Sequence, residues 1–157
     1  MRIVAFIMLA CFYLNGCQGQ QSSVHLEEVA ERGAEVMGFD LERSTHIFDK
    51  IENGGRQQVI SDDDDPEQIV LIREHMSEIY GQFSVGNFHG PETIHGEHMP
   101  GLHELVMGHD KINIEYSELE KGGQILYTTE DEKMVEAIHA WFDAQVSDHG
   151  HHAQGHH

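Results

Sequence analysis

The stretch STHIFDKIENGGRQQVISDDDDPEQIVLIREHMSEIYGQF, residues 44–83, decides the fold. Ser44 to Ile51 alternates imperfectly between polar and apolar residues, Asn53-Gly54-Gly55 supplies what a tight turn requires, and Arg56 to Ser61 continues with Val59 and Ile60. That order predicts a β-hairpin. Asp62 to Asp65 then form a solvated acidic run and a cap, and Pro66 suits a first helical turn, where its missing N–H is not needed. Ile69, Ile72, Met76, Ile79 and Phe83 recur at helical spacing as far as Gly86, so one apolar stripe faces the core.

Downstream the same order returns. Ile112 to Tyr116 alternates, Lys121-Gly122-Gly123 turns, and Gln124 to Thr129 reads as the partner strand. Thr129 precedes a helix whose Val135, Ile138, Phe142 and Val146 make a buried stripe, with Glu132 available for a capping box. The expectation is an α+β fold: a tandem ββα repeat forming a four-stranded antiparallel sheet with two helices on one face. His75 and His139 then fall at comparable points of the two helices. Upstream, a short helix is expected from His25 to Met37, stopped by Gly38 and preceded by the polar tether of residues 18–23.

The first residues have the layout of a secretory leader: Met1-Arg2, an apolar run from Ile3 to Leu14, then Leu14-Asn15-Gly16-Cys17. The apolar run is too short to span a bilayer comfortably. The Leu-Asn-Gly-Cys tetrad resembles the lipobox of bacterial lipoproteins, which implies lipidation of Cys17 and anchoring to a bacterial membrane facing the periplasm or exterior. Two acyl chains suffice for that, whereas one is marginal. The organisation expected is a leader over 1–16, tether and short helix over 17–36, a single α+β domain over 37–149, and a His-rich tail over 150–157.

Cys11 lies in the leader and Cys17 would carry lipid, so no thiol remains for a disulfide or a thiolate metal site. Any metal must be held by nitrogen, oxygen or thioether. The chain has 9 Lys and Arg against 28 Asp and Glu, a formal net charge of −19 with histidines neutral, and loss of Arg2 with the leader lowers it further. Such a field repels nucleic acid and attracts cations. Metal ions and the membrane, through the anchor, are the partners expected, with a second copy of the chain as a candidate.

Histidine is the outlier, with 14 copies, none in the leader. His46, His75 and His139 are embedded in the periodic segments. A lone histidine beside an apolar stripe is more often a satisfied core residue, but three neutral imidazoles that converge suit a borderline divalent metal, each offering one lone pair. A second group crowds the long Gly86–Asp110 connection, where His95-Gly96-Glu97-His98-Met99 is followed by His103. Imidazole with thioether favours copper, with zinc next; the bland alternative is a polar loop with incidental histidines. A third group, His149, His151, His152, His156 and His157, ends the chain, and His-rich tracts bind transition ions without a fold. Its interrupting Gly, Ala and Gln residues argue against an artificial tag. His149 lies ten residues beyond His139, about 80° around a helix axis, so the two would share a site only if the last turn unwinds.

Met37-Gly38-Phe39-Asp40, Thr45-His46 with Phe48, Ile72-Arg73 with His75, Ile94-His95, and Ala137-Ile138-His139 leading to Asp148-His149 together resemble a family of small exported bacterial proteins of uncharacterised function, over roughly Met37 to His149. Members sometimes carry the label aspartate carbamoyltransferase. This sequence does not support that label: it is too short for a two-domain transferase and has no Ser-Thr-Arg-Thr-type phosphate loop. The family pattern often has two histidines after the threonine, where this chain has His46 and then Ile47. The resemblance points to His46, His75, His95, His139 and His149 as the positions to test.

The expectation is therefore a membrane-anchored copper- or zinc-binding envelope protein for sequestration, delivery or sensing, with His46, His75, His139, His149, His95, His98, Met99 and His103 as candidate ligands. Two alternatives come from other classes. One is a metal-dependent hydrolase-type enzyme using Glu97, Asp110 or Asp148 as acid and base, although no nucleophile elbow and no His-Glu-x-x-His motif is present. The other is a structural lipoprotein that binds a protein partner, in which His75 and His139 would make only ordinary hydrogen bonds.

Overall fold

The computed structural model describes residues 16–96 and 98–156; residues 1–15, which hold most of the expected leader, Glu97 and His157 lie outside the described residues. Among the described residues the fold is α+β, with five α-helices and one five-stranded mixed sheet. Strands β1 (Ser44–Ile51) and β2 (Gly54–Ser61) pair antiparallel as a hairpin, followed by helix α2 (Pro66–Phe83). Strands β3 (Asn113–Leu119) and β4 (Gly122–Thr128) pair likewise and lead into α5 (Glu132–His149). β4 joins β2 antiparallel, with Ile125 opposite Gln57.

The sheet departs from the expected four antiparallel strands. Residues Ala153–His156 form β5, which lies parallel to β1 with Ala153 opposite His46, so the order is β3-β4-β2-β1-β5. β1 had an unpaired edge after the hairpin closed, and the chain satisfies those backbone groups with its own tail.

Alternation decides which side chains face the helices. Ser44, His46 and Phe48 of β1, Gln57 and Val59 of β2, and Ile125 and Tyr127 of β4 are buried. Against them α2 sets Ile72, Met76 and Phe83, and α5 sets Met134, Ala137, Ile138, Trp141, Phe142 and Gln145. The α5 stripe is rotated from the expected one, leaving Val135 and Val146 only partly buried. Its cap is Asp131, whose Oδ1 accepts from Lys133 N at 3.0 Å, while Thr129 serves the preceding turn by accepting from Asp131 N at 3.1 Å. Close approach of α5 to the sheet depends on Gly55: a Cβ there would lie 2.4 Å from Phe142 Cε2 and 2.8 Å from Ile138 Cγ2.

The long connection is structured. It contains α3 (His89–His95) and α4 (Leu102–Gly108), which bury Phe88, Pro91, Ile94, Met99, Leu102 and Leu105. Gly101, at φ +77°, starts α4 where a Cβ would meet Ala137 O at 2.1 Å, so this segment is pressed against α5. Helix α1 runs from Gly16 to Met37, so residues 18–23, expected as a tether, belong to the helix, which packs on α3 and α5. No described helix is long and apolar enough to cross a membrane.

Candidate metal centre

Four elements converge on one end of the sheet and each contributes one histidine. His46 stands on the inner face of β1, His75 on α2, His95 ends α3, and His149 ends α5. All four line one cavity of about 50 Å³, together with Met37, Gln57, Phe83, Trp141 and Gln145 among others. A cavity of that size exceeds the roughly 10–15 Å³ that one water requires. His46 and His149 stack at a ring-centroid distance of 4.8 Å, and His95 meets His149 edge to face at 5.1 Å. His75 is reached through Phe39, whose ring lies 5.4 Å from His75 and 6.0 Å from His46.

Hydrogen bonding sorts the ring nitrogens. His95 Nδ1 lies 3.0 Å from Asp148 Oδ2, and the His95 side chain is 1 % exposed. A neutral His95 therefore donates from Nδ1 to the carboxylate and carries its lone pair on Nε2, the carboxylate-backed geometry common among metal-ligating histidines. His149 Nε2 lies 3.1 Å from Gln145 Oε1, one turn back on α5, which makes Nε2–H the donor and Nδ1 the nitrogen with a lone pair. His46 Nδ1 is buried without a hydrogen-bond partner. Leaving such an atom unsatisfied costs roughly 1–3 kcal/mol, which a ligand would recover. Among the described residues the other orphaned buried side-chain atom is Trp141 Nε1, on an indole lining the same cavity.

Burial sets the charge state of three of the four. It pushes His46 down to about 3, helped by the neighbouring His75, His152 and His95, and it alone brings His75 down to about 4. His149 is held well below its ordinary value, first by burial and then by His46, His95 and His152. These imidazoles are neutral near pH 7, so a cation meets lone pairs and displaces no protons from them.

The rings are gathered but not closed on a point. Among the described residues, the one set of three ligating side chains whose donor atoms all lie within 4.8 Å of one another is Glu42, His151 and His152, none of which lines this cavity. Closing the buried rings onto one ion takes side-chain rotation, on the order of 1 kcal/mol for a ring moved about 30° from its rotamer.

Of the residues singled out in the sequence, His46, His75, His95 and His149 are brought together. His139 is not. It sits ten residues before His149 on α5, about 15 Å along the axis, and its Nε2–H donates to Gly54 O at 2.9 Å and Ile51 O at 3.1 Å, tying the helix to the β1–β2 turn. His98 and His103 are exposed, and Met99 is buried in the core apart from the cavity. Met37 is the thioether that lines the cavity instead. Asp110 is exposed and does not line the cavity, whereas Asp148 backs His95. Sequence reasoning missed Met37, Phe39 and Glu42 as neighbours of the histidines. Met37 and Phe39 were visible only as parts of the Met37–Asp40 motif, and Glu42 had no local signal, because its partners arrive with β5.

No protein-family model, no curated protein and no solved structure matches this chain.

Proposed function

We propose that this protein binds a transition-metal ion, copper first and zinc second, in the cavity formed by His46, His75, His95 and His149, and that it does so at the cell envelope on a lipid anchor at Cys17. The observation that carries the proposal is the orphaned Nδ1 of His46 inside a cluster of neutral imidazoles. A structural role would leave that nitrogen unpaired at a standing cost, while an ion repays it. Nitrogen donors suit Cu(II) and Zn(II) alike. The Met37 thioether on the cavity wall favours copper, whose reduced form prefers soft ligands.

In this reading the acidic surface raises the local concentration of cations, and the pocket holds one in a defined geometry. Sequestration, delivery and sensing all begin with that step. Calorimetric titration of the protein with Cu(II) and Zn(II), beside a His46→Gln/His95→Gln variant checked for folding by circular dichroism, tests it. The expected result is one tight site lost in the variant; equal tight-site stoichiometry and affinity in both proteins defeats the proposal. The anchor is tested by fatty-acid labelling of cells producing the chain, which should be abolished in Cys17→Ser.

A second reading, a catalytic metal centre, is favoured by the room left in the cavity and by the Trp141 Nε1–H, which would donate to a small molecule bound at the ion. Azide added to the Cu(II)-loaded protein decides between the two. A shifted ligand-field spectrum indicates an open coordination position, and an unchanged one a closed carrier site.

A further inference from the structure

We infer that Glu42, His151 and His152 form a second metal site, at the protein surface, for a borderline divalent cation such as Zn(II) or Cu(II), and that an ion bound there staples the C-terminal strand β5 to the sheet. The site shares no residue with the buried pocket and stands whether or not the pocket takes metal.

The three side chains come from segments far apart in the chain. Glu42 lies in the 3-10 turn Leu41–Arg43 that precedes β1, held by Asp40 Oδ1 accepting from Glu42 N at 3.0 Å. His151 and His152 lie in the 3-10 turn Gly150–His152 that precedes β5. Because β5 runs parallel to β1, with Ala153 opposite His46, the two turns come together at the same end of the two strands. His152 Nε2 reaches Glu42 Oε1 at 3.2 Å, and the His151 and His152 rings lie 3.7 Å apart between centroids. One donor atom from each residue falls within 4.8 Å of the other two. Two imidazoles and a carboxylate are a donor set that zinc accepts in tetrahedral geometry, with the fourth position left to water.

An ordinary contact between the exposed Glu42 and the partly buried His152 would account for that pair alone. It does not account for His151 beside them, nor for β5, a four-residue edge strand. So short a strand gains little from its own packing. An ion shared between the turn before β1 and the turn before β5 crosslinks the two strands at their common start. It binds the docked tail and not the undocked one, so it stabilises docking by mass action. The His-rich tail then acts as a folded ligand arm, and its first two histidines have assigned places.

The test uses the whole chain, freed of metal by chelation and titrated with Zn(II) alone. The wild type should bind one equivalent more than Glu42→Gln or a His151→Gln/His152→Gln variant, each weakening that equivalent at least tenfold, since even outer-shell changes cost a metal site about 10–100-fold. Backbone amide exchange over residues 153–155 should slow at least tenfold on adding Zn(II) in the wild type and stay unchanged in Glu42→Gln. The His46→Gln/His95→Gln variant should keep both the extra equivalent and the protection, so loss of the pocket reading does not touch this one. Unchanged affinity and stoichiometry in Glu42→Gln, or Zn(II) binding without protection of residues 153–155, overturns the inference.

Discussion

Acidification of the metal-free protein should unfold it through its buried imidazoles before its carboxylates titrate. In the folded protein His46 sits at about 3 and His75 at about 4, whereas in the unfolded chain both return to about 6.5. The unfolded chain therefore takes up protons first. The stability these groups preserve is fully present above the unfolded value and is lost as pH falls from about 6.5 toward the folded values. At about 1.36 kcal/mol per pH unit below 6.5, each of the two costs about 2 kcal/mol by pH 5, and together about 4 kcal/mol. His149 is shifted in the same direction and adds to the loss. A domain has only about 5–15 kcal/mol in total, so the effect is large. Asp63, Asp65 and Asp131 are held below the ordinary carboxylate range by Arg43, Arg43 and Lys111 respectively, so their contribution is lost only at more acidic pH, and the window from 6.5 to 5 isolates the imidazoles. Urea unfolding of chelator-treated protein at pH 7 and pH 5 measures the change. His46→Gln should reduce the loss by about 2 kcal/mol, because a glutamine has no proton to gain. A wild type losing under about 1 kcal/mol, or a His46→Gln variant with the wild-type pH dependence, would refute the assignment of His46 as a buried neutral imidazole.

Three further outcomes separate the pocket from the scaffold. His139→Ala should cost about 1–3 kcal/mol in urea unfolding, by orphaning Ile51 O and Gly54 O, and leave metal affinity as it was; reduced affinity would return His139 to the ligand set. Asp148→Asn should weaken metal binding about 10–100-fold in a competition titration while circular dichroism stays native, because the carboxylate orients His95 and raises its basicity. Gly55→Ala should destabilise by about 1–3 kcal/mol or more, since its methyl would have to displace Phe142 and Ile138 of α5, and a neutral thermal shift would show that α5 is not seated as described.

The hairpins and their helices were legible because each is specified locally. Asn53-Gly54-Gly55 and Lys121-Gly122-Gly123 turn the chain, Asp65-Pro66 starts α2, and the apolar spacing of Ile72, Met76 and Phe83 marks its buried face. What escaped was specified at a distance. α3 and α4 are one to two turns each, too short for a period to register, and their apolar residues acquire meaning only when Gly101 lets them press on α5. β5 reads Ala153-Gln154-Gly155-His156, with none of the β-branched residues that announce a strand. It forms because β1 offers an open edge, which is a tertiary cause.

The same distinction explains which histidines the sequence could place. His46 was legible as an inward residue because alternation along β1 fixes its face, and helical geometry allowed His149 to meet His139 only through an unwound last turn, whereas α5 stays helical through His149. The quasi-symmetry of His75 and His139 was the misleading cue. Both flank buried stripes, but α5 lies over the β1–β2 turn, where two backbone carbonyls need a donor, and His139 supplies it. α2 brings His75 to Phe39 and the cavity instead. A similar position in two halves therefore carried no information about chemistry, because the backbone groups facing each helix differ. Partnership separates the two: the His139 proton is claimed by two carbonyls, whereas the buried Nδ1 of His46 has no hydrogen-bond partner, and it is on that difference that the proposed metal site rests.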